Sequence, residues 1–202
     1  MGAQTNLEIM ARLSIQKVHV GEKDTNCYVV ACADSKEAIV IDPGGDAPKI
    51  VGQLRGLMVR WICFTHAHPG HTGAKEDVKA ATQAPTAMHL ADATAQLKSA
   101  DRYLAGGDTL PFGAFTLEVL PTPGHTPGGL CFRVGNHVFT GDTLTAGKIG
   151  RVDLPGSSPP QMLLSLHGQL LTLPDNTVVY PGHGPNTTIG AERVGNPYLR
   201  IR

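Results

Sequence analysis

Residues 65–73 read Thr-His-Ala-His-Pro-Gly-His-Thr-Gly and place three histidines within six positions. Residues 121–128 read Pro-Thr-Pro-Gly-His-Thr-Pro-Gly, and two later turns, 141–142 and 181–184, read Gly-Asp and Pro-Gly-His-Gly. Side chains in such glycine- and proline-rich turns at strand ends are typical of functional sites built on a rigid scaffold. Neutral imidazoles with a carboxylate suit zinc, iron or manganese. The sequence therefore predicts a metal centre.

The remaining histidines and the cysteines lack this context. A single histidine is more often a surface or satisfied core residue than a ligand; those assigned to this class are His19, His89, His137 and His167. The cysteines form no Cys-x-x-Cys motif, and we expect reduced core thiols. They are Cys27, Cys32, Cys63 and Cys131.

The composition bounds the class of protein. Seventeen Lys and Arg balance seventeen Asp and Glu, and no basic run exists, so charge gives no support for binding nucleic acid or a membrane surface. An apolar content of 41% in 202 residues is sufficient for one core, and we expect a single domain over 1–202. Residues 1–8 lack the start of a signal peptide, so we expect a cytoplasmic protein.

The apolar pattern predicts strands and helices in two similar halves. The predicted strands are 13–20, 27–33, 38–42, 60–65, 86–89, 115–121, 129–134, 137–140 and 177–180. The predicted helices are 47–57, 72–83 (with Thr72 as its cap), 91–99 and 159–171. Metal-type residues follow strand ends in both halves. The pattern predicts an α/β fold in which two packed sheets are flanked by helices, a four-layer sandwich.

These motifs resemble those of the metallo-β-lactamase superfamily over nearly the whole chain. The family pattern is Thr-His-x-His-x-Asp-His, followed by a single His, an Asp and a His. The corresponding residues are His66, His68, Gly70, His71, His125, Asp142 and His183. The resemblance implies an αββα sandwich of two mixed β-sheets flanked by helices.

The finer resemblance is to the short bacterial members of the glyoxalase II (hydroxyacylglutathione hydrolase) branch, which lack the helical glutathione-binding domain of longer relatives. The stretches that carry it are 25–28, 42–44, 140–144, 150–156, 182–190 and 191–198. A true β-lactamase is less expected for two reasons. The true β-lactamases resemble secreted proteins, and they have a cysteine where this chain has Asp142.

The resemblance implies two neighbouring metal positions. His66, His68 and His125 would hold one ion, His71 and His183 a second, and Asp142 would bridge them. Gly70 stands where the family has an aspartate, and a glycine offers no side-chain ligand. We therefore expect one tightly bound ion rather than two, Zn²⁺ with Fe²⁺ or Mn²⁺ as alternatives. No pattern indicates that Asp42, Asp46 or Asp77 substitutes.

The implied activity is hydrolysis of a small-molecule thioester, such as an acyl-glutathione, by water whose pKa a metal lowers to about 7. Asp142 and His183 are the expected catalytic residues. Substrate-binding candidates are Arg151, Lys148 and Tyr180, although solvated loop charges explain the first two equally well. The sequence does not indicate the oligomeric state.

Two other functions remain open. An iron persulfide dioxygenase would use His66, His125 and Asp142 as its metal triad, leaving three positions for oxygen and substrate. A degenerate, non-catalytic ligand-binding module would explain the loss of a ligand at Gly70. Retention of the six other ligand residues argues against such a module.

Overall fold

A computed structural model describes residues 11–199 of the chain. The strands are β1 (Leu13–Val20), β2 (Thr25–Cys32), β3 (Glu37–Ile41), β4 (Met58–Cys63), β5 (Thr86–His89), β6 (Arg102–Leu104), β7 (Thr109–Phe112), β8 (Phe115–Pro121), β9 (Leu130–Val134), β10 (His137–Gly141), β11 (Leu144–Thr145), β12 (Lys148–Ile149), β13 (Val178–Pro181) and β14 (Thr187–Thr188). The α-helices are α1 (Ala47–Gln53), α2 (Pro69–Thr72), α3 (Lys75–Thr82), α4 (Leu90–Ala95), α5 (Pro159–Ser165) and α6 (Ile189–Gly195). The segment on which the cytoplasmic expectation rests, residues 1–8, lies outside the described residues.

Twelve of these strands form two six-stranded sheets. The first has the order β1-β2-β3-β4-β5-β6, and the second has the order β14-β13-β10-β9-β8-β7. The first sheet is antiparallel from β1 to β3 and parallel from β3 to β6. In the second sheet only β10 and β13 are parallel. Both sheets are mixed, as the sequence predicted.

Strand β2 shows how the layers arise. Its residues are buried along the whole strand, because successive side chains point to opposite faces and both faces are covered. Cys27 and Val29 belong to the core formed with Ile50 of α1 and Val78 of α3. Tyr28 and its neighbour Val30 belong to the core between the two sheets.

The inter-sheet core is centred on aromatic rings. The Tyr28 ring meets Phe139 edge-on at a centroid distance of 5.1 Å and Tyr180 at 5.6 Å. A third core lies outside the second sheet, where Met162 of α5 packs with Val138 of β10. Helix, sheet, sheet and helix therefore form four layers, and the predicted αββα sandwich is confirmed.

Parallel pairing brings the motif-bearing loops together. In the first sheet Ile41 of β3 pairs with Cys63 of β4, and both chains then leave the sheet at the same edge. In the second sheet Gly141 of β10 pairs with Pro181 of β13. The backbone of Leu130 donates to the Thr65 carbonyl (2.8 Å), which joins the two sheets beside the histidine loop.

The prediction of one helix over 72–83 is wrong at its N-terminal end. The structure has two short helices there, α2 and α3, and Thr72 ends the first instead of capping the second. Its hydroxyl donates to the His68 carbonyl (3.2 Å). The break falls at Gly73, where a side chain would collide with the Gly44 carbonyl, so packing against the β3 turn shapes this segment.

Other boundaries differ modestly. The helix predicted over 47–57 ends at Gln53, and the one predicted over 91–99 ends at Ala95. The helix predicted over 159–171 is α5 continued by a π-helical turn, Leu166–Leu170. The short elements β6, β7, β11, β12, β14 and α6 were not predicted. Within residues 11–199, no helix combines the length and apolarity needed to cross a membrane.

Candidate metal centre

The first histidine motif folds into a loop followed by one helical turn. β4 ends at Cys63, and His66 and His68 lie in the loop that follows. Pro69 then begins α2, a position where its fixed φ and missing N–H are tolerated. The His71 amide donates to the His68 carbonyl (2.9 Å), which turns His71 back toward the loop. The compact turn places all three imidazoles on one side.

Three imidazoles form the first donor group. The candidate ligand nitrogens of His66, His68 and His125 all lie within 4.8 Å of one another. His125 Nε2 and His68 Nδ1 lie 3.1 Å apart. His66 is buried, whereas His68 is partly exposed. These are the residues that the sequence predicted for the first metal position.

Asp142 separates this group from a second one. Its Oδ2 lies 3.5 Å from His125 Nε2 and 3.9 Å from His66 Nε2. Its other oxygen, Oδ1, lies 3.4 Å from His71 Nε2 and 3.5 Å from His183 Nε2. One carboxylate therefore faces both groups of histidines, one oxygen to each, which is the arrangement that a bridging ligand requires.

Several donor atoms of the centre have no hydrogen-bond partner among residues 11–199. His66 Nε2, His71 Nε2 and Asp142 Oδ1 are buried and make no hydrogen bond. Burying polar atoms without a partner is costly, and folded proteins rarely tolerate it. Divalent cations at the two donor groups would supply the missing partners, one beside His66 and one beside His71 and Asp142 Oδ1. The donor set therefore fits a divalent metal ion such as zinc, iron or manganese.

Electrostatics differ between the two groups. Burial lowers the pKa of His66, and the charge of His71 lowers it further. Burial and His125 likewise lower the pKa of His68. Both imidazoles are thus kept neutral, the form that binds metal. Burial also acts to lower the pKa of His71, but Asp42 and Asp142 outweigh it and raise that pKa to about 10.

Asp142 carries the negative charge of the centre. Burial alone would raise the pKa of its carboxyl group. His71, whose Nε2 lies 3.4 Å from Oδ1, together with His66 and His183, outweighs burial and holds this pKa well below its ordinary value. A deprotonated carboxylate among four imidazoles attracts any cation that reaches the centre.

Groups behind the centre fix which nitrogen each ring presents. Asp42 Oδ2 lies 3.0 Å from His71 Nδ1, and the Arg151 carbonyl lies 2.8 Å from His125 Nδ1. A carboxylate or carbonyl can only accept, so Nδ1 carries the proton and Nε2 is free for a ligand. Asp42 also accepts from the Thr65 amide (2.7 Å) and hydroxyl (2.6 Å).

Asp92 of α4 connects the two histidine loops. Its Oδ2 accepts from the Ala67 amide (2.9 Å), between His66 and His68. Its Oδ1 accepts from the Gly128 amide (2.5 Å), in the loop that carries His125. This buried carboxylate therefore sets the distance between residues that are far apart in sequence.

Sequence reasoning missed Asp42 and Asp92 as supports of the centre. A signal for Asp42 was present, because it ends a strand in the run Asp-Pro-Gly-Gly and β3 lies parallel to the histidine-bearing β4. No comparable signal marks Asp92, which lies inside a short helix. Its role depends on where α4 packs.

The predicted substrate-binding residues lie at different places. Arg151 is 68% exposed and pairs with Asp153 through two 3.0 Å hydrogen bonds. Lys148 is exposed in β12. The Tyr180 hydroxyl lies 3.2 Å from His137 Nδ1, at the start of β10, roughly 15 Å along the strand from Asp142. This arrangement does not bring Tyr180 toward the centre.

His19, His89, His137 and the cysteines match their expectations. His89 accepts from the Ala91 amide and caps α4, and His19 pairs with Asp24 on the surface. His137 makes the contact with Tyr180 described above. All four cysteines are buried and free, which confirms the expectation of core thiols without disulfides.

The metallo-beta-lactamase superfamily matches residues 20–183 of the chain. The chain belongs to this superfamily. Among curated relatives, the probable metallo-hydrolase YqgX of Bacillus subtilis is 37% identical over 91% of this chain and 96% of its own length. The hydroxyacylglutathione hydrolase GloC of Haemophilus influenzae is 31% identical over 94% of this chain and 100% of its own length.

Solved structures of the superfamily agree in fold. The B3 metallo-beta-lactamase BLEG-1 superposes with a TM-score of 0.85 at 36% identity, covering 92% of this chain and 99% of its own. ETHE1 from Myxococcus xanthus superposes with a TM-score of 0.82 at 30% identity, covering 91% of this chain and 83% of its own. TTHA1623 in a di-iron-bound form superposes with a TM-score of 0.79 at 36% identity, covering 91% of this chain and 100% of its own.

Replacing His125 tests the metal centre of this superfamily member. We expect His125→Ala to lose most of its metal at equilibrium, because the first donor group then retains only two imidazoles. Metal per chain is measured by elemental analysis after dialysis. His19→Ala, at an exposed histidine paired with Asp24, is the control and should keep the wild-type content. Unchanged metal in His125→Ala would show that the centre lies elsewhere.

Replacing Asp92 tests the connection between the loops. Asp92→Asn directs an amide N–H₂ at a backbone N–H donor, so we expect a loss of roughly 1–3 kcal/mol in the free energy of unfolding. Metal affinity should fall roughly 10–100-fold, as for other residues that hold ligands in place. Urea unfolding and metal titration measure the two effects. Asp77→Asn, at an exposed position of α3, is the control; equal behaviour of both variants would contradict the assigned role.

Proposed function

We propose that the chain is a metal-dependent thioesterase that hydrolyses acyl-glutathione or related thioesters. The observation that carries the proposal is the centre itself, in which Asp142 faces His66 and His125 on one side and His71 and His183 on the other. The similarity to a hydroxyacylglutathione hydrolase over nearly the full length of both chains supports the choice of substrate.

The residues divide into holding and reacting roles. His66, His68 and His125 would hold the principal ion, with Zn²⁺ proposed and Fe²⁺ or Mn²⁺ compatible with the same donors. A bound divalent cation supplies Lewis-acid activation of water and of the substrate carbonyl. Arg151 contributes its backbone carbonyl to His125, and its exposed side chain and Lys148 are proposed to meet negative charge on the thiol carrier.

Asp142 and His183 are the proposed reacting residues. Oδ2 of Asp142 lies on the side of the first donor group, where it can accept a hydrogen bond from the attacking water and orient it. A thiolate is a good leaving group, so its departure requires little help from a general acid. The His183 side chain, 35% exposed, lies at the open side of the centre, where substrate enters.

Direct assays separate the candidate activities. We expect release of free thiol from lactoylglutathione and simpler acyl thioesters by the metal-loaded protein, followed with a thiol reagent. The same preparations are tested for hydrolysis of a β-lactam, because BLEG-1 is named as a B3 metallo-beta-lactamase. Metal content is measured in parallel. Turnover of the β-lactam without any thioester cleavage would overturn the proposal.

An iron persulfide dioxygenase is the second candidate. The same oxygen of Asp142 faces both His66 and His125, the three residues of the alternative triad. This activity would consume oxygen in the presence of glutathione persulfide and require iron. Oxygen uptake without thioester cleavage would favour it. Absence of every activity, with metal bound, would favour the non-catalytic module.

Gly70 determines the strength of the proposed second site. The site would otherwise have His71, His183 and one oxygen of Asp142. We propose that the protein holds one ion tightly and a second weakly. The fold does not require a glycine here: Gly70 lies within α2, outside the positive-φ residues, and an added Cβ would meet only Thr25 Oγ1 and Lys23 Cδ, both at 3.5 Å.

We expect Gly70→Asp to raise metal occupancy toward two ions per chain. The new carboxylate would begin beside the Thr25 hydroxyl, which is buried and unpartnered and can donate to it. Affinity for the second ion should increase roughly 10–100-fold, measured by titration calorimetry. Gly70→Asn is the matched control, similar in size but without charge. Two tightly held ions in the unaltered protein would contradict the argument.

A further inference from the structure

A cavity of about 270 Å³ opens beside His68. We call it the His68 cavity; its walls include His68, Ala95, Gln96, Thr126, Pro127 and Pro155. Ala95 belongs to α4 and Gln96 follows it, while Thr126 and Pro127 come directly after the ligand His125. A larger cavity, of about 460 Å³, lies between α1, β4 and α3, and its lining includes none of the described ligand residues.

The position of the His68 cavity relates it to the reacting carbonyl. His68 forms part of its wall, and His68 Nδ1 lies 3.1 Å from His125 Nε2 within the first donor group. A carbonyl held at that group therefore has the cavity on one side. Lys148 and Arg151 do not line it, so the cavity and these charged residues are available to different parts of a substrate.

The walls are fixed independently of any ligand. The Ser158 amide donates to the Gly124 carbonyl (2.8 Å), which joins the loop before α5 to the loop before His125. Gly156 lies beside the Pro127 ring. A Cβ added to Gly156 would be 3.4 Å from that ring, an ordinary van der Waals contact. Asp92 holds the third side by its bonds to Ala67 and Gly128.

The chemistry of the lining disfavours an anionic group. Among the described residues, no lysine or arginine lines the cavity. Its one carboxylate, Asp92, already accepts two backbone hydrogen bonds and is buried. Alanine and proline carbons form much of the wall, with Gln96 as an exposed polar group. An anionic substituent would lose its hydration next to the Asp92 carboxylate, and it would meet neutral donors such as Gln96 and Thr126 but no cationic side chain.

We propose that the His68 cavity binds the acyl group of the substrate and accepts uncharged groups up to the size of a phenyl ring. The proposal rests on the proposed thioesterase function. An apolar cavity of about 150 Å³ is known to hold benzene, so 270 Å³ is sufficient for an aromatic acyl group. The thiol carrier would then extend toward Lys148 and Arg151.

Matched variants test this assignment. Ala95→Phe fills the His68 cavity, and Ala81→Phe fills the larger cavity; both alanines are exposed on helices. With glutathione as the common thiol, we expect Ala95→Phe to lower kcat/KM for a benzoyl thioester about tenfold or more, while an acetyl thioester changes less than about threefold. Ala81→Phe should change neither. Wild type should prefer a pentanoyl to a succinyl thioester by at least about tenfold.

A binding measurement keeps the two hypotheses separate. Benzyl alcohol, titrated into the metal-loaded protein, should shift the NMR amide signals of Ala95, Gln96 and Gly156 in wild type and Ala81→Phe, whereas the Gln96 and Gly156 signals of Ala95→Phe should not shift. Equal loss of acetyl and benzoyl turnover in Ala95→Phe, or no shift of these amides in wild type, would overturn the acyl assignment. Failure to cleave any thioester, with the amide shifts intact, would instead overturn the thioesterase function and leave the cavity as a site for uncharged groups.

Discussion

The structure depends on the burial of donor atoms that the protein itself leaves without partners. His66 Nε2, His71 Nε2 and Asp142 Oδ1 are enclosed and make no hydrogen bond. A polypeptide gains nothing from such an arrangement on its own, since unsatisfied buried polar groups destabilise the folded state. Cations bound at the two donor groups change the balance, because they supply the missing partners. The surrounding fold must therefore hold these atoms rigidly.

Rigidity comes from acceptors placed behind the rings. Asp42 fixes His71, the Arg151 carbonyl fixes His125, and Asp92 ties their two loops together. These groups come from elements far apart in sequence, and parallel pairing of β3 with β4 and of β10 with β13 brings the strand ends together. The sandwich thus holds strand ends from both sheets close to one carboxylate, Asp142.

The sequence was informative about strands and about ligand types for one reason: both are local. Alternation and turn residues placed β1, β5 and β8 at their observed bounds. The spacing of His66, His68 and His71 likewise identified donors that share a loop. Elements of two or three residues, such as β6 and β14, carry too little pattern to be recognised. The break between α2 and α3 depends on contact with a distant turn, as does the role of Asp92.

The glycines around the centre show where packing leaves no room for a side chain. A Cβ at Gly44 would collide with the Gly70 carbonyl, and one at Gly182 would lie 2.6 Å from Asp142 Oδ1 and 2.7 Å from His71 Cε1. Glycine is thus a steric requirement at Gly44 and Gly182, where backbone approaches the donor atoms. At Gly70 no such constraint exists, because an added Cβ meets only ordinary contacts. The missing carboxylate at Gly70 is therefore a property of the metal centre and not a consequence of packing. The missing carboxylate weakens the second donor group relative to the first, because within the described part of the chain Asp142 is the only carboxylate near His71 Nε2.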